Sequence, residues 1–336
     1  MSSRLEQEIA AQGAVLARRA AEGASGAAAA ANLLRGAAHV VIAARGSSDN
    51  AARFAQYLLG GEARVTVGLA APSLYRDADR APRLTGAAVM AISQSGRSPD
   101  IVAVLAAARV QGRPTIAITN DPDSDLAAEA DVVVALLAGE ERSVAATTSY
   151  LASLHALVQI AEAMAPSAER RRRLDSLPGE VQALTASVLR RRAEFDVLAD
   201  AIPITVTGRG LFFSAACETA LKVRELSGIP AEAFSPPDLL HGPVASLRPP
   251  GATWLLDPHG ELDVIAARVA PSVIVSARAE ALARARVPIA LPEGIPDWVA
   301  AILAVLPAQA AGLRLAERGG GDVDAPHGLS KVTLTH

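Results

Sequence analysis

The stretch Ala88-Val-Met-Ala-Ile-Ser-Gln-Ser-Gly-Arg-Ser-Pro-Asp-Ile-Val-Ala-Val-Leu105 decides how this chain is read: a short apolar strand breaks into a Ser/Gly loop and restarts as a helix. Ser98 suits the N-cap, Pro99 the first turn and Asp100 the positive end of the helix dipole, so the helix start is well signalled. Ser93, Gln94 and Ser95 then lie just ahead of a helix N-terminus, where backbone N–H groups and the dipole favour an anion, and Gly96 lets the backbone approach closely. The loop reads as a phosphate cradle, and its neutral hydroxyls suit a sugar phosphate. An ordinary strand-to-helix turn is the alternative on this segment alone, since short Ser/Gly motifs recur by chance.

The same rhythm extends outward. His39-Val-Val-Ile-Ala-Ala reads as a buried strand that ends in Arg45-Gly46-Ser47-Ser48-Asp49 and gives way to helical periodicity over 50–59. Val65-Thr-Val, Thr115-Ile-Ala-Ile-Thr and Asp131-Val-Val-Val-Ala-Leu-Leu supply further strands. Residues 1–34 are an Ala-rich helical lead-in, 143–164 form a long apolar helix, and 166–192, with Pro166, Pro178 and several arginines, read as a helical linker. Strands alternating with helices imply an α/β chain with a parallel sheet covered on both faces, and ligands bound beyond the carboxyl ends of the strands. Gly46 and Gly96 both fall at such ends.

A second cycle follows the linker. Pro203-Ile-Thr-Val-Thr leads through Gly208-Arg-Gly into a helix over 214–226. Gly46 and Gly96 are 50 apart, as are Gly210 and Gly260, so one offset of 164 superposes both pairs and argues for a duplicated α/β domain. Where the first copy has Ser93-Gln-Ser-Gly, the second has Asp257-Pro-His-Gly, whose acidic side chain and proline are expected to have abolished phosphate binding. The second copy offers Glu218, Lys222 and Glu225 on one helix and His241-Gly-Pro on a loop, and Lys331 follows near the last residue.

Composition narrows the function classes. The 336 residues are 51% apolar and carry a net charge of only −3, so a sizeable core is available and a nucleic-acid footprint is unsupported. The runs 170–173 and 190–192 are expected to coat helices near a domain junction. A single cysteine, Cys217, read as a small buried apolar residue, excludes an internal disulfide and a multi-cysteine metal site, and six scattered histidines show no ligand spacing. The amphipathic, charged start lacks a signal peptide's apolar core, and no apolar run is expected to span a membrane. The expectation is a cytoplasmic protein without metal or cofactor.

Gly46-Ser47-Ser48, Ser93-Gln-Ser-Gly-Arg-Ser, Glu218-Thr-Ala-Leu-Lys-Val-Arg-Glu-Leu-Ser, Ala231-Glu-Ala-Phe, His241-Gly-Pro and Asp322-Val-Asp-Ala-Pro with Leu-Ser-Lys-Val-Thr together resemble the sugar isomerase (SIS) family. The likeness is to the isomerase half of glucosamine-6-phosphate synthase and to the amino-sugar-phosphate deaminases built like it. It implies two tandem flavodoxin-like SIS domains at 35–165 and 193–318, an active-site tail at 319–336, and a homodimer. It further implies a sugar phosphate held by Gly46, Ser47, Ser48, Ser93, Gln94, Ser95 and Ser98, with Val144 and Ser330 also lining the substrate. Glu225 resembles the acid/base that moves a proton between C1 and C2. His241 resembles the histidine that assists ring opening, Lys331 the lysine at the carbonyl carbon and Lys222 a nearby polar partner.

The residue types suit that chemistry. Aldose–ketose interconversion needs a base at carbon, and a partly buried carboxylate serves. Glu218, Lys222 and Glu225 fall at i, i+4 and i+7 on one helix face; a solvated face with one ion pair is the alternative reading. Lys331 in a tail could equally be solvated, but a tail rich in Asp, Pro and Gly before Val332-Thr-Leu-Thr reads as a lid, under which a desolvated lysine can act as a nucleophile. Two departures from the resemblance, Arg97 for an acidic residue and Thr148 for a lysine, bear on the substrate. With Met-Ser-Ser at its start and its cysteine at 217, the chain is expected not to draw ammonia from glutamine, and to deaminate glucosamine 6-phosphate to fructose 6-phosphate. A fructosamine-6-phosphate deglycase or another hexosamine-phosphate isomerase or deaminase, and a non-catalytic sugar-phosphate sensor, are the alternatives.

Overall fold

The computed structural model describes residues 2–77, 80–256, 260 and 262–331. Two expectations therefore fall on residues outside the described ones, the 257–259 loop and the 332–336 end of the tail. The elements are, in order, α1 (Arg4–Glu22), α2 (Ala24–Arg35), β1 (His39–Ala43), α3 (Ser47–Glu62), β2 (Val67–Leu69), β3 (Ala87–Ile92), α4 (Pro99–Val110), β4 (Thr115–Thr119), α5 (Asp125–Ala128), β5 (Val132–Ala135), α6 (Thr148–Met164) and α7 (Ala168–Arg190). They continue as β6 (Ile204–Gly208), α8 (Leu211–Ser227), β7 (Ala231–Phe234), α9 (Pro236–Leu240), β8 (Ala252–Leu256), α10 (Asp263–Ala266), β9 (Val273–Ser276), α11 (Ala279–Leu282), β10 (Val287–Ala290), α12 (Asp297–Leu303) and α13 (Leu306–Gly319). They form two compact units. The first comprises Ala11–Glu141, Ala146–Pro178 and the tail from Ser330; the second comprises the residues up to Ala10, Arg142–Ala145 and Gly179–Leu329.

In the first unit five parallel strands stand in the order β2-β1-β3-β4-β5. The two strands β3 and β4 are buried at every position, as the unbroken apolar runs of a sheet covered on both faces require. Val89, Ala91 and Ala117 pack with Ile101, Val104 and Leu105 of α4 in one core. The order places a switch point between β1 and β3, because the chain leaves β1 toward β2 and β3 toward β4. Register pairs Ala43 with Ala91 and Ile92 with Ile118, so the loops after β1, β3 and β4 emerge along one edge.

The second unit holds five parallel strands in the corresponding order, β7-β6-β8-β9-β10. Its turn into α8 repeats the turn into α3: Gly46 has φ 56 and ψ −131, and Gly210 has φ 61 and ψ −127. Only glycine occupies that region without strain. The correspondence then fades, since α4 runs 12 residues whereas α10 keeps 4. Trp254 of β8 stacks on Phe195, which precedes β6, with centroids 5.7 Å apart.

Four expectations need correction. The long apolar helix starts at Thr148, not 143, because Val144 N donates to Asp324 O and Ala145 packs on Leu5 and Ile9. Arg170 does not coat a surface: it is 5% exposed and ion-paired to Glu162 and Glu62. Cys217 is half-buried rather than buried. Residues 297–319 are apolar and long enough to cross a membrane, yet 94% of an 18-residue window within them is buried, with α12 and α13 packed on α8. They are core helices of the second unit.

Candidate functional site

In the first unit both expected cradles stand at the switch-point edge. Gly46 precedes α3, and Ser47 and Ser48 form its first turn, half-buried. Ser93 closes β3, and its Oγ accepts from Gly96 N at 3.2 Å; Ser95 Oγ accepts from Arg97 N at 3.3 Å. The far side of the loop is tied down as Asn120 N donates to Gln94 O (3.1 Å) and Leu126 N to Gly96 O (3.0 Å). Gly96 has φ +64, and a Cβ there would fall 2.0 Å from Ser124 Oγ, so this position accepts no side chain. Ser98 occupies the N-cap of α4 with extended backbone, but its hydroxyl makes no capping bond. Arg45 braces one cradle to the other, donating through Nε (2.9 Å) and Nη2 (2.8 Å) to Oδ2 of Asp100 in the first turn of α4.

Beside this loop lies a cavity of ≈ 200 Å³ lined by Gln94, Ser95, Arg97, Asn120, Asp121 and Lys331. Arg97, one of the two departures, pairs with Asp121 at 3.2 Å. Lys331 reaches this wall and donates to Glu141 Oε2 at 2.8 Å, while Ser330 is exposed. Glu141, which the sequence reading did not single out, is fully enclosed. Its Oε1 accepts from Thr147 N (2.8 Å), Thr148 Oγ1 (2.9 Å) and Ser149 N (3.1 Å), and its Oε2 from Ser149 Oγ (2.7 Å). Burial by itself would raise the Glu141 carboxyl, but the charge and hydrogen bond of Lys331, with those from Ser149 and Thr147, outweigh it and hold the carboxyl below the usual range. The second departure, Thr148, thus serves this carboxylate.

In the second unit α8 carries the other constellation. Lys222 Nζ lies 2.5 Å from Glu225 Oε2 and 3.5 Å from Glu218 Oε1; the Lys222 and Glu218 side chains are 0% and 1% exposed and that of Glu225 25%. The solvated-face alternative fails, because Gly312 brings α13 against Leu226 and the Lys222 carbonyl and seals the helix face. His241 caps the end of α9, donating its N–H to Pro237 O at 3.0 Å, and is exposed. Val144 is half-buried in this unit, held by Asp324. The cradles, Lys331 and Ser330 thus belong to the first unit, and Glu225, Lys222, His241 and Val144 to the second.

Two signals for Glu141 were present in the sequence. Thr147-Thr-Ser at the start of an apolar helix is a donor-rich anion site. Only two of the 32 Lys and Arg residues are lysines, Lys222 and Lys331, and each sits on a buried glutamate.

Residues 33–163 match the SIS domain family. A glutamine–fructose-6-phosphate aminotransferase (isomerizing) of Bradyrhizobium diazoefficiens is 30% identical over 312 residues, 86% of this chain and 51% of that protein. One of Gloeobacter violaceus is 34% identical over 276 residues, 72% of this chain and 43% of its own. The chain thus spans about half the length of the curated relatives it matches. Among solved structures, the C-terminal domain of glucosamine-fructose-6-phosphate aminotransferase from Francisella tularensis superposes with TM-score 0.84 at 26% identity, covering 97% of this chain and 99% of that one. The fold is shared with a glucosamine-6-phosphate deaminase from Thermotoga maritima, TM-score 0.78 at 22% identity, covering 99% and 100%.

Proposed function

The chain carries an SIS domain and is homologous to the isomerase half of glutamine–fructose-6-phosphate aminotransferase, and from that premise we propose that it deaminates glucosamine 6-phosphate to fructose 6-phosphate and ammonia. The observation that carries the reading is the α8 pair. A fully enclosed lysine holds Glu225 at 2.5 Å while leaving that carboxylate a quarter exposed, the combination a positioned carbon base needs. The sugar phosphate binds at Ser47, Ser48, Ser93, Ser95 and Ser98 by the helix starts. His241 assists ring opening, and Lys331 serves the carbonyl carbon.

Glu225 takes the proton from C2 of the open-chain 2-amino aldose and returns it to C1, leaving a 2-imino ketose. Water adds at C2, ammonia departs and the ketose remains, so one water is consumed for each ammonia released. The proposal includes a cytoplasmic homodimer.

The test is ammonia and fructose 6-phosphate release from glucosamine 6-phosphate by the purified protein, with Glu225→Gln alongside. Release by wild type, with a loss of about 10²-fold or more in the variant, supports both reaction and base. Thermal stabilisation by the sugar phosphate without release overturns the reaction and transfers the site to a fructosamine-phosphate deglycase or a sensor.

A further inference from the structure

The position of Glu141 does not depend on the cation it binds. Oε1 is occupied by two amides and a hydroxyl of the α6 start, and Oε2 by the Ser149 hydroxyl. The α6 dipole also favours an anion at that end. The carboxylate is therefore held in place independently of Lys331.

The approach to Lys331 is exposed. Asp324 fixes the tail within the second unit by accepting from Arg4 N and Leu5 N, but residues 327–330 are exposed. The chain otherwise uses arginine for nearly all its cations. A compact ammonium is retained at this position, where a planar guanidinium would not fit one remaining carboxylate lone pair and could not act as an amine.

We propose that Glu141 is the positioning residue of Lys331, a carboxylate prefixed by the first turn of α6 that docks the lysine on the wall of the cavity formed by Gln94, Ser95, Arg97, Asn120 and Asp121. The role given to Lys331 rests on the function proposed above; the docking does not.

Two measurements keep these apart. The first is amine acylation followed by mass spectrometry, in which the chain's only lysine side chains are the probe and its control. In Glu141→Gln, acylation of Lys331 rises about fivefold or more while enclosed Lys222 stays slow; equal Lys331 rates in both proteins overturn the docking. Should Lys222 also become reactive, the variant has lost its fold, and Lys331→Met decides instead. Its amide exchange over 327–331 accelerates about fivefold if the ion pair seats the tail, and is unchanged if it does not.

The second measurement is turnover. Glu141→Gln lowers kcat about tenfold or more with KM altered less than about threefold, because the phosphate loops are untouched. The Glu141→Gln/Lys331→Met double variant is no slower than Lys331→Met alone. Multiplying losses assign Glu141 a role independent of the lysine and overturn the proposal. If wild type turns nothing over, the function reading fails while the acylation result still decides the docking.

Discussion

Replacing His155 by leucine should make the protein markedly more tolerant of acid. The imidazole lies in α6, 0% exposed, and neither ring nitrogen makes a hydrogen bond of ordinary geometry. Gln159, one turn on, is already committed: its Oε1 accepts from Arg19 Nη2 at 2.9 Å and its Nε2 donates to Arg19 O at 3.3 Å. Burial first, and the Arg19 charge second, lower the His155 pKa from 6.5 to about 3. A base with a depressed folded pKa is protonated first in the unfolded chain. Its contribution is therefore intact above pH 6.5 and is lost as the pH falls from there toward 3.

At pH 5 the unfolded state gains roughly 30-fold from protonation and the folded state almost nothing, a cost of about 2 kcal/mol. Leucine nearly matches the ring in volume and does not titrate. Glu141 does not disturb the comparison: its folded pKa lies below 4.5, so its stabilisation fades only under more acid conditions, and it is common to both proteins. The assay is chemical denaturation at pH 7.5 and pH 5. Wild type should lose about 2 kcal/mol more than His155→Leu between the two; parallel losses would show that the ring is hydrated or charged in the folded state and refute the reasoning.

Lys222→Met should destabilise the protein by about 3–5 kcal/mol, because it leaves Glu218 enclosed without its cation; adding Glu218→Gln should recover part of that loss in denaturant titrations but not turnover, since Glu225 has still lost its partner. Gly96→Ala should cost about 1–3 kcal/mol through its positive φ and the collision with Ser124 Oγ, and should weaken sugar-phosphate binding in calorimetry, an unchanged affinity meaning that the 93–98 loop does not hold the phosphate.

Much of the fold was legible because the signals were local. Buried parallel strands leave apolar runs such as 87–92 and 116–118, and turns that need a positive φ leave glycine at 46, 96 and 210. The family and the α8 cluster were legible for the same reason, one helix face being set by spacing alone. Glu141 was legible only in part: its donors at Thr147, Thr148 and Ser149 are local, but Lys331 lies 190 positions away. The start of α6 was misplaced because Val144 and Ala145 serve another purpose, Val144 N pairing with Asp324 O and Ala145 packing on Leu5 and Ile9. Periodicity carries no information about such distant partners.

The carboxylate that accepts from Arg4 N and Leu5 N has a consequence for the order in which the molecule can be finished. Asp324 stands 320 positions after Arg4, and the apolar companions of Leu5 and Ile9 are Ala145, Leu226, Leu313 and Ala316. On a ribosome adding about 5–20 residues per second, the start of α1 emerges roughly 15–60 s before its cap is made. Through that interval an apolar helix face waits beside the nascent chain. The face of α1 is thus covered only by residues translated some 320 positions later, and any factor that shields apolar helices during translation has a long opportunity there.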